Sequence, residues 1–267
     1  MTEKIDSLLI FDVKGQMAHF RKFYTNSSSL SHDFPPRTTI TGLIASLLGK
    51  QRDTYYEEFS SDRCKVSLSI RTSIRKIMQT VNYVRTKNLG ELNASGGPTQ
   101  TPLEIVLPLC FASEIKYRIF FHHSDKEGII KDLKKVLKSK EILYPSYLGL
   151  TEFIAETAFV DYIEGDDIKL ERTNQPIEVI TIVNIERIQN KGLIFQDNAS
   201  QVLRYVKEIM PLEFDRERRL KEKSSFIYEK NQGKAKLIIK GEYYKINYKD
   251  PENGVLSENI VFMENAK

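Results

Sequence analysis

The helix pattern at residues 38–49 constrains the fold of this chain more than any other stretch. Apolar side chains recur at the spacing of one helix face, namely Ile40, Leu43, Ile44, Leu47 and Leu48. Thr38 or Thr39 can cap the amino end, and Gly49 is suited to the left-handed conformation that ends many helices. The pattern therefore predicts an amphipathic helix that packs its apolar stripe on a core.

Strand patterns flank this helix in an order typical of one domain type. Ser7–Val13 is a short apolar run, and Val66, Leu68 and Ile70 alternate with polar residues as in a half-buried strand. Further strand, helix and strand patterns follow at Leu103–Leu109, Glu114–His123, Lys126–Lys140 and Ala158–Ile163. Together with the helix, these patterns follow the order βαββαβ. This order predicts an α+β, ferredoxin-like or RRM-like domain over residues 1–165.

The remaining residues, 166–267, predict a smaller β-rich C-terminal domain. Pro176–Ile188 and Ala235–Tyr248 alternate apolar and polar residues as strands do. Asn198–Met210 has a helical pattern, and the charge run Asp215–Lys223 is typical of a solvated helix face.

Residues 83–102 form an insertion between two strands of the first domain. The segment concentrates Gly, Asn, Ser, Thr and Pro and has no core residues. We expect a protruding hairpin or flexible arm.

The positive charge of the chain lies in its first part. Of 40 basic and 36 acidic residues, giving a net charge of +4, the surplus falls before residue 111. Residues 63–90 contain no acid, and residues 13–52 contain only Asp33. The bases of the acid-free stretch are Arg63, Lys65, Arg71, Arg75, Lys76, Arg85 and Lys87. Acid-poor basic stretches favour a polyanionic partner, although a positive face without a partner is an alternative.

Several kinds of chemistry find no support in the sequence. It contains no glycine-rich nucleotide motif, no CxxC or HExxH motif and no GxSxG motif, so we expect no metal and no cofactor. Neighbouring His122 and His123 point to opposite faces of a strand and cannot share one metal. Two cysteines, an acidic amino terminus and the lack of a long apolar run lead us to expect a cytoplasmic protein without a membrane segment.

The segment Ala18–Ser29 combines bases, aromatics and hydroxyl or amide groups. Arg21 and Lys22 can bind phosphates, and Tyr24 offers a ring on which an unpaired base can stack. Single-stranded RNA recognition uses this combination. Phe20 and Phe23 are also suited to a core.

Three segments resemble one known family. F-D-V-K-G-Q-M-A-H-F-R-K-F-Y-T-N-S-S and P-P-R-T-T-I-T-G-L-I-A-S-L-L-G lie within residues 8–49, and Y-P-S-Y-L-G-L-T-E-F spans 144–153. Together they resemble CRISPR-associated protein family five, most closely its type I-B members. The arm at 83–102 falls where that family inserts a thumb hairpin.

The resemblance implies a non-catalytic subunit of the type I CRISPR Cascade surveillance complex. Such a subunit binds the 5′ handle of CRISPR RNA and caps the backbone filament. Its partners are CRISPR RNA, the backbone and large subunits, and target DNA within the complex. With the basic stretch included, the RNA-binding candidates are Arg21, Lys22, Tyr24, Arg37, Arg71, Arg75, Arg85 and Lys87.

Two alternatives remain open at this point. Relatives of the family in type I-C systems cut repeat RNA without metal, using Tyr, Lys and His, and this chain offers Tyr24, Lys116, His19 and His122. A generic DNA-binding or scaffold protein with a basic face is the third interpretation.

Overall fold

A computed structural model of the chain describes residues 5–25, 28–195, 203–230 and 233–264. Within these ranges the fold consists mainly of antiparallel β-strands, with few helices. The α-helices are α1 (Arg37–Leu47) and α2 (Lys131–Ser139), and a π-helical segment, Lys126–Ile130, leads into α2. The strands are β1 (Ser7–Gly15), β2 (Phe20–Arg21), β3 (Ser31–His32), β4 (Cys64–Ile70), β5 (Ile74–Val84), β6 (Pro98–Pro108), β7 (Ile115–His123), β8 (Ala155–Glu164), β9 (Ile168–Arg172), β10 (Ile177–Val179), β11 (Val183–Asn184), β12 (Ile188–Leu193), β13 (Tyr205–Phe214), β14 (Leu220–Glu229), β15 (Ala235–Ile239), β16 (Glu242–Asp250) and β17 (Gly254–Ile260).

A four-stranded antiparallel sheet forms the centre of the N-terminal part, residues 5–165. Its strand order is β4-β7-β1-β8, with Leu9 opposite Phe121 on one side and Tyr162 on the other. Helix α1 follows β1 in the chain, and α2 follows β7. Most of β1 and all but one residue of β7 are buried, so the sheet is covered on both faces.

The apolar stripe of α1 is confirmed as core. Ile40, Ile44 and Leu47 are buried, and Leu43 and Leu48 pack against them. The helix ends as predicted, because Gly49 has a φ of +67° and its N–H donates to the Ser46 carbonyl at 3.0 Å. The predicted threonine cap is wrong: the helix begins after Pro36, and no side chain caps it.

Strand β4 is more deeply buried than its alternating pattern predicts. Ser67 and Ser69 are buried, and so are the apolar residues Val66, Leu68 and Ile70 that alternate with them. The hydroxyl of Ser67 donates to the carbonyl of Val261 at 2.6 Å, and the N–H of Met263 donates to the carbonyl of Val66 at 2.8 Å. The polar face of β4 therefore packs on the C-terminal part, residues 166–264, instead of facing solvent.

The C-terminal part contains three small antiparallel sheets. Their strand orders are β10-β15-β12, β11-β14-β13 and β17-β16-β9. The helix predicted over Asn198–Met210 is wrong where the structure describes it, because Tyr205 begins a ten-residue strand that pairs with β14; residues 198–202 lie outside the described ranges. The charge run Asp215–Lys223 is mostly exposed but forms a turn and the start of β14, not a helix.

The arm predicted at 83–102 lies within a longer hairpin. β5 pairs with β6 from Ile74 opposite Pro108 to Val84 opposite Pro98. The base is buried, at Leu103 and Val106 for example, whereas most residues of the outer half are exposed. The hairpin therefore extends from the body of the protein.

Buried ion pairs and a shared core join the two parts. Arg118 on β7 donates to both carboxylate oxygens of Asp12 on β1, at 2.7 and 2.8 Å, and also to Asp250 on β16. A single cluster of buried apolar residues includes Leu9 from the N-terminal part and Met210 and Phe226 from the C-terminal part. The predicted boundary near residue 165 thus crosses a continuous core.

We expect Asp250 to make stability depend on pH in acid. Burial alone would raise the pKa of Asp250, but Arg118 and two backbone N–H groups outweigh it and lower the pKa from 3.8 to about 2. The stabilising effect is therefore complete above pH 3.8 and is lost as the pH falls toward 2. Urea unfolding over this pH range should show Asp250→Asn to be less stable at the upper end and less sensitive to acid. Equal acid sensitivity in both proteins would contradict this role.

Candidate nucleic-acid interface

The loop between β2 and β3, residues 22–30, is fixed at both ends. The N–H of Phe20 donates to the Ser31 hydroxyl at 2.9 Å, and the N–H of Lys22 donates to the Leu30 carbonyl at 2.8 Å. Gly149 lies so close behind His19 that a Cβ there would be 1.8 Å from the His19 carbonyl oxygen. This close approach requires glycine, so Gly149 allows the segment 144–153 to pack against the residues that lead into β2.

The base of the β5–β6 hairpin is bonded to this same loop. Ala18 and Val106 exchange backbone hydrogen bonds of 3.0 and 2.8 Å, and the N–H of Glu104 donates to the Ser29 carbonyl at 2.9 Å. The carboxylate of Glu104 accepts the Ser31 N–H at 2.8 Å. Two regions that the sequence predicts separately as RNA-binding are therefore contiguous.

The last residue of β2 and the start of the following loop expose one basic side chain and two aromatic rings. Arg21 is exposed and has no carboxylate within ion-pair distance in the described part of the chain. Tyr24 is 52% exposed and Phe23 41%, with their ring centroids 5.2 Å apart at nearly a right angle. A surface that offers both a cation and an accessible ring can bind a phosphate through the cation and stack a base on the ring. Phe23 therefore belongs to the surface, not to the core.

Lys22 has a different environment from its neighbour Arg21. Its ammonium donates to Glu208 on β13 at 2.9 Å. Burial alone would lower the pKa of Lys22, but the carboxylate outweighs it and the pKa is raised. Lys22 is thus charged and already paired within the protein.

Arg37 is the clearest correction among the predicted RNA contacts. It is 1% exposed, and its guanidinium is paired with Glu264 and donates to the carbonyls of Phe59 at 3.0 Å and Cys64 at 3.2 Å. Burial opposes the charged form, yet the pKa of Arg37 is raised by its surroundings, including Glu264. A guanidinium in this position supports the fold and does not reach a phosphate.

Arg71, which follows β4, and Arg75 on β5 differ in whether an acid pairs with them. Arg71 makes a two-pronged ion pair with Glu258, at 2.7 and 2.8 Å. Arg75 has no described acidic partner, and its guanidinium carbon lies 4.6 Å from the ring centre of Phe111. Phe111 is 84% exposed and was not predicted from the sequence, because a single aromatic in a turn carries no pattern. Arg75 therefore remains available to an anion, whereas Arg71 is already paired.

Arg85 and Lys87 lie on the outer part of the hairpin. Both are exposed, and neither is within ion-pair distance of an acid in the residues that the structure describes. The nearby carboxylate of Glu91 instead accepts the backbone N–H of Lys87 at 2.8 Å. The exposed cations of the hairpin are thus free for a partner.

The four residues of the predicted nuclease cluster do not form one constellation. Lys116 and His122 are six residues apart on β7, which is roughly 20 Å along a strand. Burial lowers the pKa of His19, whose ring bonds the Glu104 carbonyl at 2.8 Å and Ser29 at 3.2 Å. The ammonium of Lys116 donates to Glu252 at 2.8 Å. Only Tyr24 of the four lies in the loop between β2 and β3.

Two further observations apply to the described residues only. The described residues contain no group of three or more His, Cys, Asp or Glu side chains arranged to hold a metal ion. They also contain no helix long and apolar enough to cross a membrane.

We expect Arg37→Met to reduce stability by about 3–5 kcal/mol, because it leaves the buried Glu264 carboxylate without its charge partner. Chemical denaturation measures this loss of stability. The double variant Arg37→Met with Glu264→Gln should recover part of the lost stability, because it also removes the unpaired negative charge of Glu264. A variant of unchanged stability that binds RNA less well would instead restore Arg37 to the interface.

Comparisons with known proteins come from a family model and from solved structures. The model of the family described as CRISPR-associated protein (Cas_Cas5) matches residues 8–227. No curated protein matches this chain.

Solved structures give a likeness of fold at low identity. A CRISPR protein from Archaeoglobus fulgidus is 14% identical, with a TM-score of 0.53, and the match covers 94% of this chain and 98% of that one. A chain of a CRISPR RNA-guided surveillance complex is 12% identical, with a TM-score of 0.46 and coverage of 84% and 90%. At these identities the first likeness shows the fold alone, and the second carries no argument. The family match, however, spans most of the sequence, and the chain therefore belongs to the Cas5 family of CRISPR-associated proteins.

Proposed function

We propose that this protein is an RNA-binding subunit of a type I CRISPR Cascade complex, in which it holds the 5′ handle of CRISPR RNA and caps the backbone filament. One observation carries the proposal. Arg21 at the end of β2, and Arg85 and Lys87 on the β5–β6 hairpin, are exposed basic residues without described acidic partners. Backbone hydrogen bonds join the β2–β3 region to the lower part of that hairpin. Family membership supplies the CRISPR context.

The proposed contacts divide into two chemical roles. Arg21, Arg75, Arg85 and Lys87 are suited to phosphates, since the described residues place no carboxylate within ion-pair distance of any of them. Tyr24 is suited to stacking on an unpaired base. Single-stranded RNA is favoured over a duplex because the ring can reach a base only where that base is unpaired.

The topology supports an RRM-like interpretation of the N-terminal part. Numbered by their order along the chain, its four sheet strands lie 2-3-1-4, with α1 after the first and α2 after the third. A ferredoxin-like domain has the same βαββαβ connectivity, which supports this part of the proposal. We assign the β5–β6 hairpin, inserted between the second and third strands, to the role of the thumb.

The partners follow from the same assignment. CRISPR RNA contacts the loop and hairpin, and the Cascade backbone and large subunits, with target DNA, assemble around it. The exposed outer half of the hairpin, with Leu89 at 86% and Leu92 at 64% exposed, offers apolar contact area to such a neighbour. We assign no catalytic residue.

We expect Arg21→Ala and Arg85→Ala each to weaken binding of a labelled handle RNA and to lower the slope of log K against log salt by about 1. Each substitution removes one phosphate contact and its released counterion. Fluorescence anisotropy over a salt series measures both quantities.

The control is Lys135→Ala, which removes an exposed positive charge from α2, outside the proposed interface. It should leave affinity and slope nearly unchanged. A second comparison uses duplex DNA of equal charge, which should bind less tightly than the single-stranded RNA. Unchanged affinity and slope for both arginine variants, or a preference for the duplex, would refute the proposal.

A further inference from the structure

Glu208, a residue of the C-terminal part, lies directly beneath the RNA-binding loop. It belongs to β13 and is 6% exposed. One carboxylate oxygen accepts from the Lys22 ammonium at 2.9 Å, and the other accepts from Nδ1 of His32 at 3.0 Å. Lys22 follows β2 and His32 ends β3, so one carboxylate joins the two sides of the loop.

Both partners of Glu208 also contact the exposed ring of Tyr24. The Lys22 ammonium lies 6.0 Å from the centre of that ring. The His32 ring packs against it edge to face, with centroids 6.4 Å apart. Tyr24 thus rests on two side chains that the same carboxylate holds in place.

The charge state of Glu208 suits this role. Burial alone would raise its pKa, but hydrogen bonds from His32 and Lys22 outweigh it and the pKa is lowered. A buried carboxylate that is ionised and bonded through both oxygens has one geometry available to it. Its two partners are consequently fixed as well.

We propose that Glu208 is a positioning residue of the RNA interface, which holds Lys22 and His32 so that Tyr24 presents its ring to an unpaired base. The inference rests on the proposed RNA-binding function. It also assigns a task to the C-terminal part, whose strand β13 supplies the anchor, and it makes Lys22 a support for Tyr24 instead of a phosphate contact.

The sign of one mutational effect separates this role from simple electrostatics. Glu208→Gln removes a negative charge near a polyanion and frees the Lys22 ammonium, which by charge alone should strengthen RNA binding and steepen its salt dependence. Loss of positioning should instead weaken binding roughly threefold or more, the scale of coupling between contacting residues.

The experiment is a double-mutant cycle in the full chain. Affinity for a short labelled single-stranded RNA is measured for wild type, Glu208→Gln, Tyr24→Ala and the double variant. We expect Glu208→Gln to weaken binding when Tyr24 is present and to cause no further loss once Tyr24 is alanine. The matched control is Glu213→Gln, a buried glutamate on the same strand that pairs with Lys221 at 2.7 Å and should not alter RNA affinity.

Each outcome of the cycle either supports or overturns the positioning role of Glu208. Tighter binding by Glu208→Gln, or an equal loss with and without Tyr24, overturns the positioning role while leaving RNA binding intact. A wild-type chain that does not bind the RNA overturns both proposals. If thermal unfolding shows Glu208→Gln to be unfolded, His32→Asn takes its place, with the same loss through Tyr24 expected and an unchanged salt slope.

Discussion

Arg118 lies between Asp12 on the adjacent strand and Asp250 on the distant β16, and this kind of pairing determines how the molecule is assembled. The same arrangement recurs where Arg37 meets Glu264, Arg71 meets Glu258 and Lys22 meets Glu208. In each case the base comes from the N-terminal part and an acid from the C-terminal part. A buried charge without its partner is costly, so the pairs require both parts to dock in one register.

These ion pairs change the interpretation of the uneven charge distribution along the sequence. The surplus of bases before residue 111 looks like the mark of a polyanion-binding surface, but several of its members are neutralised internally by acids far along the chain. What remains at the loop and hairpin is a smaller set of exposed cations. The candidate interface is therefore defined by which basic side chains lack an acidic partner in the described residues, more than by the net charge of +4.

Local patterns predict local elements well here and long-range pairing poorly. α1 could be predicted because its stripe and Gly49 both lie within one short segment. β13 could not, since a short apolar run suits a helix or a strand and pairing with β14 decides between them. In the candidate site, Arg21 and Tyr24 are exposed, and their role in RNA binding stays a prediction. The burial of Arg37 could not be predicted, because its partner Glu264 is 227 residues away and no local sequence signal links the two.

The wide separation of Arg37 and Glu264 has a consequence for the newly made chain. At roughly 5–20 residues per second, a ribosome needs more than about ten seconds to make the 227 residues between them. During that interval the cation at the start of α1 lacks the carboxylate that neutralises it in the finished fold. The packing around Arg37 is therefore completed only after Glu264 has been synthesised.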